Sequence, residues 1–242
     1  MSLGVFLITG GTRGIGAATA RLAAERGYKV AVFYRSNAGA ADALAAQIGA
    51  VAIKADIGDE AALMRGFEAV DRLGKLEVLV NNAGVTGNVG PFTSLDAKQI
   101  EDVLRVNVTG AFLASREAVK RMSRRHGGAG GAIVNVSSGA ARSGSPGVWI
   151  HYAASKAALD TLTLGLAKEV AAEGIRVTGV RPGLIDTEIH AVRPPGQLAK
   201  LAKSVPMGRI GAPEEIARTI VWLASPEASY VTAAILDAAG GF

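Results

Sequence analysis

A parallel, doubly wound α/β sheet is the fold class that this sequence predicts. Short runs rich in Val, Ile and Leu alternate with longer helical stretches along the chain. Those runs are continuously apolar rather than alternating, which means that both sheet faces are covered. The first run also leads straight through a glycine-rich turn into a helix, the strand–helix unit from which such sheets are wound.

The elements follow in order. Val5 to Thr9 reads as a buried strand, and Ala17 to Arg26 as a helix with apolar positions at helical spacing. Lys29 to Tyr34 is a second strand, followed by an Ala-rich helix from Ala40 to Ile48. Val51 to Lys54 makes a third strand, Glu60 to Leu73 a helix, and Val78 to Val80 a fourth strand. A long helical region covers about Ala97 to Arg125, and Ala132 to Val136 is a fifth strand. His151 to Glu173 is a helix, Arg176 to Val180 a strand, Pro213 to Leu223 a helix, and Ala234 to Asp237 a last short strand. The expectation is one Rossmann-like domain over residues 1–242, a mostly parallel seven-stranded sheet with helices on both faces and right-handed crossovers. There is no internal repeat, and Gly127 to Gly131 reads as a loop before strand five. The segment 188–211 breaks the pattern with Pro194, Pro195 and Pro206 around a short Leu198 to Lys203 helix. Such an excursion after a strand's carboxyl end reads as a substrate lid.

Composition narrows the chemistry. The 242 residues include no cysteine, so disulfides, thiolate nucleophiles and Cys-held metals are excluded. Only three histidines are present (His126, His151, His190), far apart in sequence, and no metal site is expected. No basic residue precedes the apolar N-terminal run, which fits a secretory leader poorly. No run is long enough to span a membrane, and a cytoplasmic protein is the expectation. The net charge of +5 is scattered, with its densest cluster at Lys120, Arg121, Arg124 and Arg125. That reads as a solvated face, and no nucleic-acid partner is expected. The balance suits an anionic cofactor or substrate.

Thr9-Gly10-Gly11-Thr12-Arg13-Gly14-Ile15-Gly16 joins the first strand to the first helix. Glycines there let the backbone approach a pyrophosphate, whose charge the helix N-terminus favours. The spacing is G-x-x-x-G-x-G, at Gly10, Gly14 and Gly16. In this the sequence resembles the short-chain dehydrogenase/reductase family. The resemblance extends along almost the whole chain through Asn81-Asn82-Ala83-Gly84, Asn107, Ser138, Tyr152-x-x-x-Lys156 and Pro182-Gly183-Leu184-Ile185-Asp186-Thr187.

The end of the second strand bears on the cofactor. An NAD-preferring dinucleotide fold usually places an acid there, on the ribose 2′-hydroxyl. This chain has Tyr34-Arg35-Ser36-Asn37 instead, and its next acid is Asp42. Arg35, Ser36 and Arg13 would attract a 2′-phosphate, so NADP(H) is expected over NAD(H). Two solvated surface arginines are the other reading. The resemblance implies that Asp56 and Ile57 contact adenine, Asp56 through the exocyclic amine. Asp56 also reads as a helix cap before Asp59-Glu60, and both roles are compatible. By the same resemblance, Asn82, Ala83 and Gly84 pass the ribose, and Pro182 and Gly183 lie under the nicotinamide. Ile185 and Thr187 meet the amide and the pyrophosphate.

Tyr152 and Lys156 share one face of a helix. Moving a tyrosine pKa from about 10 to about 7 takes roughly 4 kcal/mol. One ammonium about 4 Å away supplies that at an effective dielectric of about 20. The resemblance implies that Ser138 and Tyr152 polarise a substrate carbonyl, that Tyr152 donates the proton, and that Lys156 also holds the ribose. It implies that Asn107 kinks its helix and holds a water relaying protons to the lysine. The serine lies fourteen residues before the tyrosine, one more than in many relatives, so Ser137 competes with Ser138. Ser138 aligns better with a strand ending in serine, which puts the added residue in the Ala141 to Ile150 loop.

Trp149, His151 and the 188–207 segment are candidates for the substrate wall. Trp149 reads equally as an interface residue, and His151 points about 100° from the tyrosine. The resemblance implies a homotetramer, held by helices around 100–125 and 151–173 and by the C-terminal segment. Leu159, Leu162, Leu166 and Val170 suit that interface or the core. Three functions remain in play: a small-molecule carbonyl reductase or alcohol dehydrogenase, a 3-oxoacyl-[acyl-carrier-protein] reductase, and a cofactor-sensing protein without turnover. The basic stretch at Lys120 to Arg125 suits an acidic carrier, whereas Glu173 opposes it.

Overall fold

The computed structural model describes residues 3–188 and 197–241. Its strands are β1 (Val5–Thr9), β2 (Lys29–Tyr34), β3 (Val51–Lys54), β4 (Leu76–Asn81), β5 (Gly131–Val136), β6 (Ile175–Pro182) and β7 (Ala234–Ala238). They form one sheet in the order β3-β2-β1-β4-β5-β6-β7, with every neighbouring pair parallel. The chain winds outward from β1 through β2 to β3, then crosses back to β4 and continues to β7. At that reversal the connections diverge and leave a crevice at the carboxyl ends of the strands. This is a Rossmann-like fold in which the sheet is entirely parallel.

Side chains along each strand divide two apolar cores with a period of two. Phe6, Ile8, Val30, Val32, Val78 and Val80 pack on one face with Ala20, Leu44, Ile216 and Ile220. These last come from α1 (Gly14–Glu25), α2 (Ala38–Ile48) and α9 (Pro213–Ala224). Val5, Leu7, Phe33, Leu79 and Ile133 pack on the other face with Leu63, Phe67, Ala114, Ala118 and Ala167. Those belong to α3 (Glu60–Asp71), α5 (Gly110–Met122) and α7 (Ile150–Val170). Leu159 and Val170 are core residues, while Leu164 is the more exposed leucine of α7.

The expected helix over 97–125 is broken. It consists of α4 (Ala97–Leu104), a π turn (Arg105–Thr109), α5, and a 3₁₀ turn at Arg124–His126. Gly110 donates its N–H to the Arg105 carbonyl, a five-residue step that adds one residue to the coil. Such swellings concentrate at functional sites. A short helix, α6 (Ala140–Ser143), also precedes α7 and has no periodic signal in the sequence. The cap of α3 is Asp59, whose side chain accepts from Ala62 N at 2.9 Å, rather than Asp56.

Of the proposed lid, α8 (Gln197–Ala202) and the strand-like approach through Gly211 are described. His190, Pro194 and Pro195 lie outside the described residues. Among the described residues no helix is long and apolar enough to cross a membrane. No cluster of three His, Asp or Glu side chains suited to a metal ion occurs among them.

Candidate active site

A cleft of about 670 Å³ runs across the carboxyl ends of the strands at the reversal. Every predicted site residue except Gly16 and Asn107 lines it. At its centre the chain leaves β1 through Gly10 (φ +64°) and Gly14 (φ +50°), backbone conformations that disfavour other residues. A Cβ on Gly10 would stand 2.8 Å from the Ala83 Cα, and one on Gly14 would stand 3.1 Å from the Thr187 side chain. Gly16 lies deeper, where a Cβ would come within 2.4 Å of the Gly10 carbonyl. The missing side chains therefore let the first turn of α1 close on the turn itself and leave its N–H groups facing the cleft.

Thr9 and Asn82 hold that turn together. Thr9 Oγ1 accepts from Asn82 N at 3.0 Å and from Ala83 N at 3.1 Å. Asn82 Nδ2 donates to the carbonyls of Thr9 at 3.0 Å and Gly10 at 2.9 Å. Asn82 is thus a strap between the ends of β1 and β4 as well as a lining residue. Thr9 escaped the sequence reading because a threonine at a strand end carries no signal of its partner.

One end of the cleft is formed by Arg35 and Ser36 after β2 and by Asp56 and Ile57 after β3, with Arg13 nearby. Asp56 Oδ1 accepts from Gly58 N at 2.9 Å, and Oδ2 lies 3.5 Å from Arg105. No carboxylate occupies the end of β2.

The other end brings Ser138, Tyr152 and Lys156 together. Ser137 also borders the cleft but its polar groups are engaged by the fold: it is buried, its N–H bonds the Val180 carbonyl, and its hydroxyl donates to the Lys156 carbonyl at 3.1 Å. The residue beside it, Ser138, faces the cleft. Its Oγ accepts from Ala140 N at 3.1 Å, which starts α6. Between Ser138 and α7 the chain forms this short helix and a turn at Ser145 (φ +47°).

Burial raises the Tyr152 pKa, and hydrogen bonding from Ser138 only partly opposes it. Burial lowers Lys156 to about 8, with the Asp160 carboxylate pulling upward. The expected lowering of Tyr152 by Lys156 is therefore not the balance within the chain. Lys156 Nζ donates to the Val136 carbonyl at 2.8 Å and sits 5.7 Å above the tyrosine ring centroid. The ammonium faces the ring and a carbonyl, and desolvation of the phenol prevails.

Asn107 stands behind Gly84, where an added Cβ would meet its Oδ1 at 3.3 Å and Lys156 Nζ at 3.4 Å. Its Oδ1 accepts from Val85 N at 2.8 Å, while Nδ2 donates to Val85 O and to Ser155 Oγ, each at 2.9 Å. All the side chain's hydrogen-bonding directions but one are spent on the protein. Asn107 lies within the π turn, at the place where the resemblance implied a helix kink.

Trp149 is buried, lines the cleft, and packs edge-on to Tyr152 with ring centroids 6.1 Å apart. His151 is buried on the other side of α7 against Gly87, outside the cleft lining. Burial lowers its pKa, with the Thr86 backbone opposing. Leu201, on α8 within the segment expected to wall the substrate, lines the cleft, as does Leu184. Thr86 also lines it, a residue that sequence reading missed because it reaches the cleft only through the loop path after β4.

The cleft fits a nicotinamide dinucleotide. It offers cations at one end, a glycine cradle with helix N–H groups in the middle, and a hydroxyl–phenol–ammonium set at the other. The family model described as "Enoyl-(Acyl carrier protein) reductase" matches residues 10–242. An oxidoreductase of Escherichia coli (strain K12), YgfF, described as uncharacterized, is 52% identical over 246 residues, covering 99% of this chain and 100% of its own. The structure of a 3-ketoacyl-(acyl-carrier-protein) reductase from Brucella melitensis complexed with NADH superposes with a TM-score of 0.91 at 32% identity, covering 98% of this chain and 97% of that one. A short-chain dehydrogenase/reductase from Serratia marcescens BCRC 10948 superposes with a TM-score of 0.90 at 38% identity, covering 98% and 97%. The chain belongs to the short-chain dehydrogenase/reductase family of oxidoreductases.

Proposed function

We propose that this oxidoreductase prefers NADP(H) and interconverts a small-molecule carbonyl and its alcohol. The observation that carries the cofactor preference is the cationic end of the cleft, with Arg35, Ser36 and Arg13 and no acid after β2. A 2′-phosphate gains charge-assisted bonds there and meets no carboxylate at the end of β2.

The bound nicotinamide would supply the hydride to the carbonyl carbon, or accept it in the reverse direction. The chain's own residues manage the oxygen and the proton. Ser138 and Tyr152 donate hydrogen bonds to the carbonyl oxygen and stabilise the negative charge that grows on it. Tyr152, held protonated by burial, then gives up its phenolic proton as the general acid. Lys156 bonds the ribose hydroxyls and supplies positive charge that assists the phenol's departure as phenolate. Asn107 keeps the Val85 segment and α7 in register through Ser155. Trp149 and Leu201 cover the substrate end with apolar surface and limit water.

A free small molecule is favoured over a carrier-bound acyl chain because the basic stretch of α5 is neutralised internally. Glu117 takes hydrogen bonds from Lys120 and Arg121, and Glu173 accepts from Ser123 and pairs with Arg125 at 3.5 Å. Little free positive charge is left there for an acidic carrier. Exposed Phe112 on α5 and Leu164 on α7 support assembly into a homotetramer through these helices.

Two titrations test this reading. NADPH should bind more tightly than NADH by intrinsic fluorescence, and NADPH should be consumed on a panel of free ketones faster than on a carrier-bound 3-oxoacyl thioester. Tighter NADH binding would reject the cofactor preference, and a preference for the thioester would reject the substrate class. Binding without consumption on either panel would point to a cofactor sensor.

A further inference from the structure

We propose that Arg105 is a positioning residue for cofactor binding: reaching from the π turn, it fixes the Asp56 carboxylate in the orientation that receives the adenine amine. The inference rests on the reading of Asp56 as an adenine contact. A purine exocyclic amine donates hydrogen bonds, so a carboxylate recognises it only with a lone pair aimed into the cleft.

Three observations converge on the arginine. First, its Nη1 lies 3.5 Å from Asp56 Oδ2, while Oδ1 is held by Gly58 N at 2.9 Å. The carboxylate is thereby gripped at both oxygens, by its own turn and by a residue forty-nine positions away in sequence. Second, the arginine lies over Gly58, where an added Cβ would run into its guanidinium. Third, Ile57 lies against Gly110, whose added Cβ would meet both the Ile57 side chain and its carbonyl at 2.9 Å. The turn Asp56-Ile57-Gly58 thus docks through two glycine contacts onto the π turn and the start of α5.

Arg105 itself does not line the cleft, whereas Asp56, Ile57 and Val106 do. Its effect therefore passes through Asp56. Asp102 completes the cluster, with Oδ1 3.9 Å from Arg105 Nε and Oδ2 2.9 Å from Lys98 Nζ. Lys98 engages Asp102, so the arginine is not drawn from Asp56 by an unpaired acid. The same five-residue turn also carries Asn107, which bonds Val85 near the opposite end of the cleft. One local swelling of the helix therefore supports both ends of the cofactor groove.

The test measures binding rather than turnover. Dissociation constants are determined by fluorescence for NADPH and for its hypoxanthine analogue, which lacks the exocyclic amine. They are measured on the wild-type enzyme, Arg105→Gln and Arg105→Lys, with thermal unfolding recorded for each. The wild type should prefer the adenine cofactor. Arg105→Gln should weaken adenine binding by about fivefold, the range of a partly exposed ion pair, and leave hypoxanthine binding within about twofold. Arg105→Lys should recover part of the loss, and the loss should shrink at high salt. An equal loss for both cofactors in Arg105→Gln, or no loss for either, would overturn the role of Arg105. A wild type that does not distinguish the two cofactors would instead overturn Asp56 as the adenine contact, and the inference with it.

Discussion

Ser137 donates its hydroxyl to the Lys156 carbonyl at 3.1 Å, and this bond gives two adjacent serines different tasks. The buried one ties the end of β5 to α7, while Ser138 faces Tyr152 across the cleft. Ser138→Ala should therefore lower kcat/KM by about 100-fold, the usual scale for losing one donor to a developing oxyanion. Ser137→Ala should cost stability of about 1 kcal/mol and little of the rate. Steady-state kinetics and thermal unfolding on both variants make the comparison, and a reversed order would move the catalytic hydroxyl to Ser137.

In the proposed mechanism Lys156 and Tyr152 set the pH dependence. Burial holds the lysine at about 8, so it keeps its proton below that pH and loses it above. Tyr152 is displaced upward and remains a phenol over the same range. Reductase kcat/KM should thus be level through neutral pH and fall as pH rises past about 8. Asp160 raises the lysine from one helical turn away, so Asp160→Asn should move the fall to lower pH. A profile unchanged in Asp160→Asn would remove Lys156 as its origin.

Arg35 carries the test of the proposed cofactor preference. Arg35→Ala should weaken NADPH by at least about tenfold, as expected for a lost charge-assisted bond to phosphate. NADH should change by less than about twofold, because without a 2′-phosphate the guanidinium has little to hold. Calorimetric titration of both cofactors measures the ratio. Parallel weakening of the two would mean that Arg35 is an ordinary surface charge.

Asn107→Leu keeps the volume and removes three hydrogen bonds, stranding the N–H and carbonyl of Val85, while the Ser155 hydroxyl keeps its bond to the Tyr152 carbonyl. Buried groups left unpaired cost about 1–3 kcal/mol each. A Tm reduced by about 6 °C or more is expected for a chain of this size, with cofactor binding and activity weakened together. An unchanged Tm would show that the π turn forms without the asparagine.

Arg176 provides a contrast far from the cleft. Its guanidinium donates to the carbonyls of Leu223, Ala224, Ser225 and Val231, closing the C-terminus of α9. Arg176→Met should lower Tm by several degrees, on the order of 2–4 °C per kcal/mol lost, and leave the NADPH dissociation constant unchanged. A weakened dissociation constant at low temperature would tie α9 to the cofactor site.

Much of this molecule is legible in one dimension. The continuous apolar strands and their alternation with helices specify a covered parallel sheet, because an unbroken apolar strand has no face to offer water. The glycine spacing after β1 and the four-residue step from Tyr152 to Lys156 are local, so chain geometry alone sets their shapes. What lay beyond sequence reading depends on contacts between distant segments. The strap from Asn82 to Thr9 and the grip of Asn107 on Val85 join residues that spacing does not relate. The π turn within 97–125 forms because Asn107 and Gly110 are held by other parts of the chain, so the local helical pattern reads straight through it. The choice between Ser137 and Ser138, and the upward displacement of Tyr152, arise in the same way. Each is decided by which groups the fold buries together, and burial is a property of the packed structure rather than of neighbours along the chain.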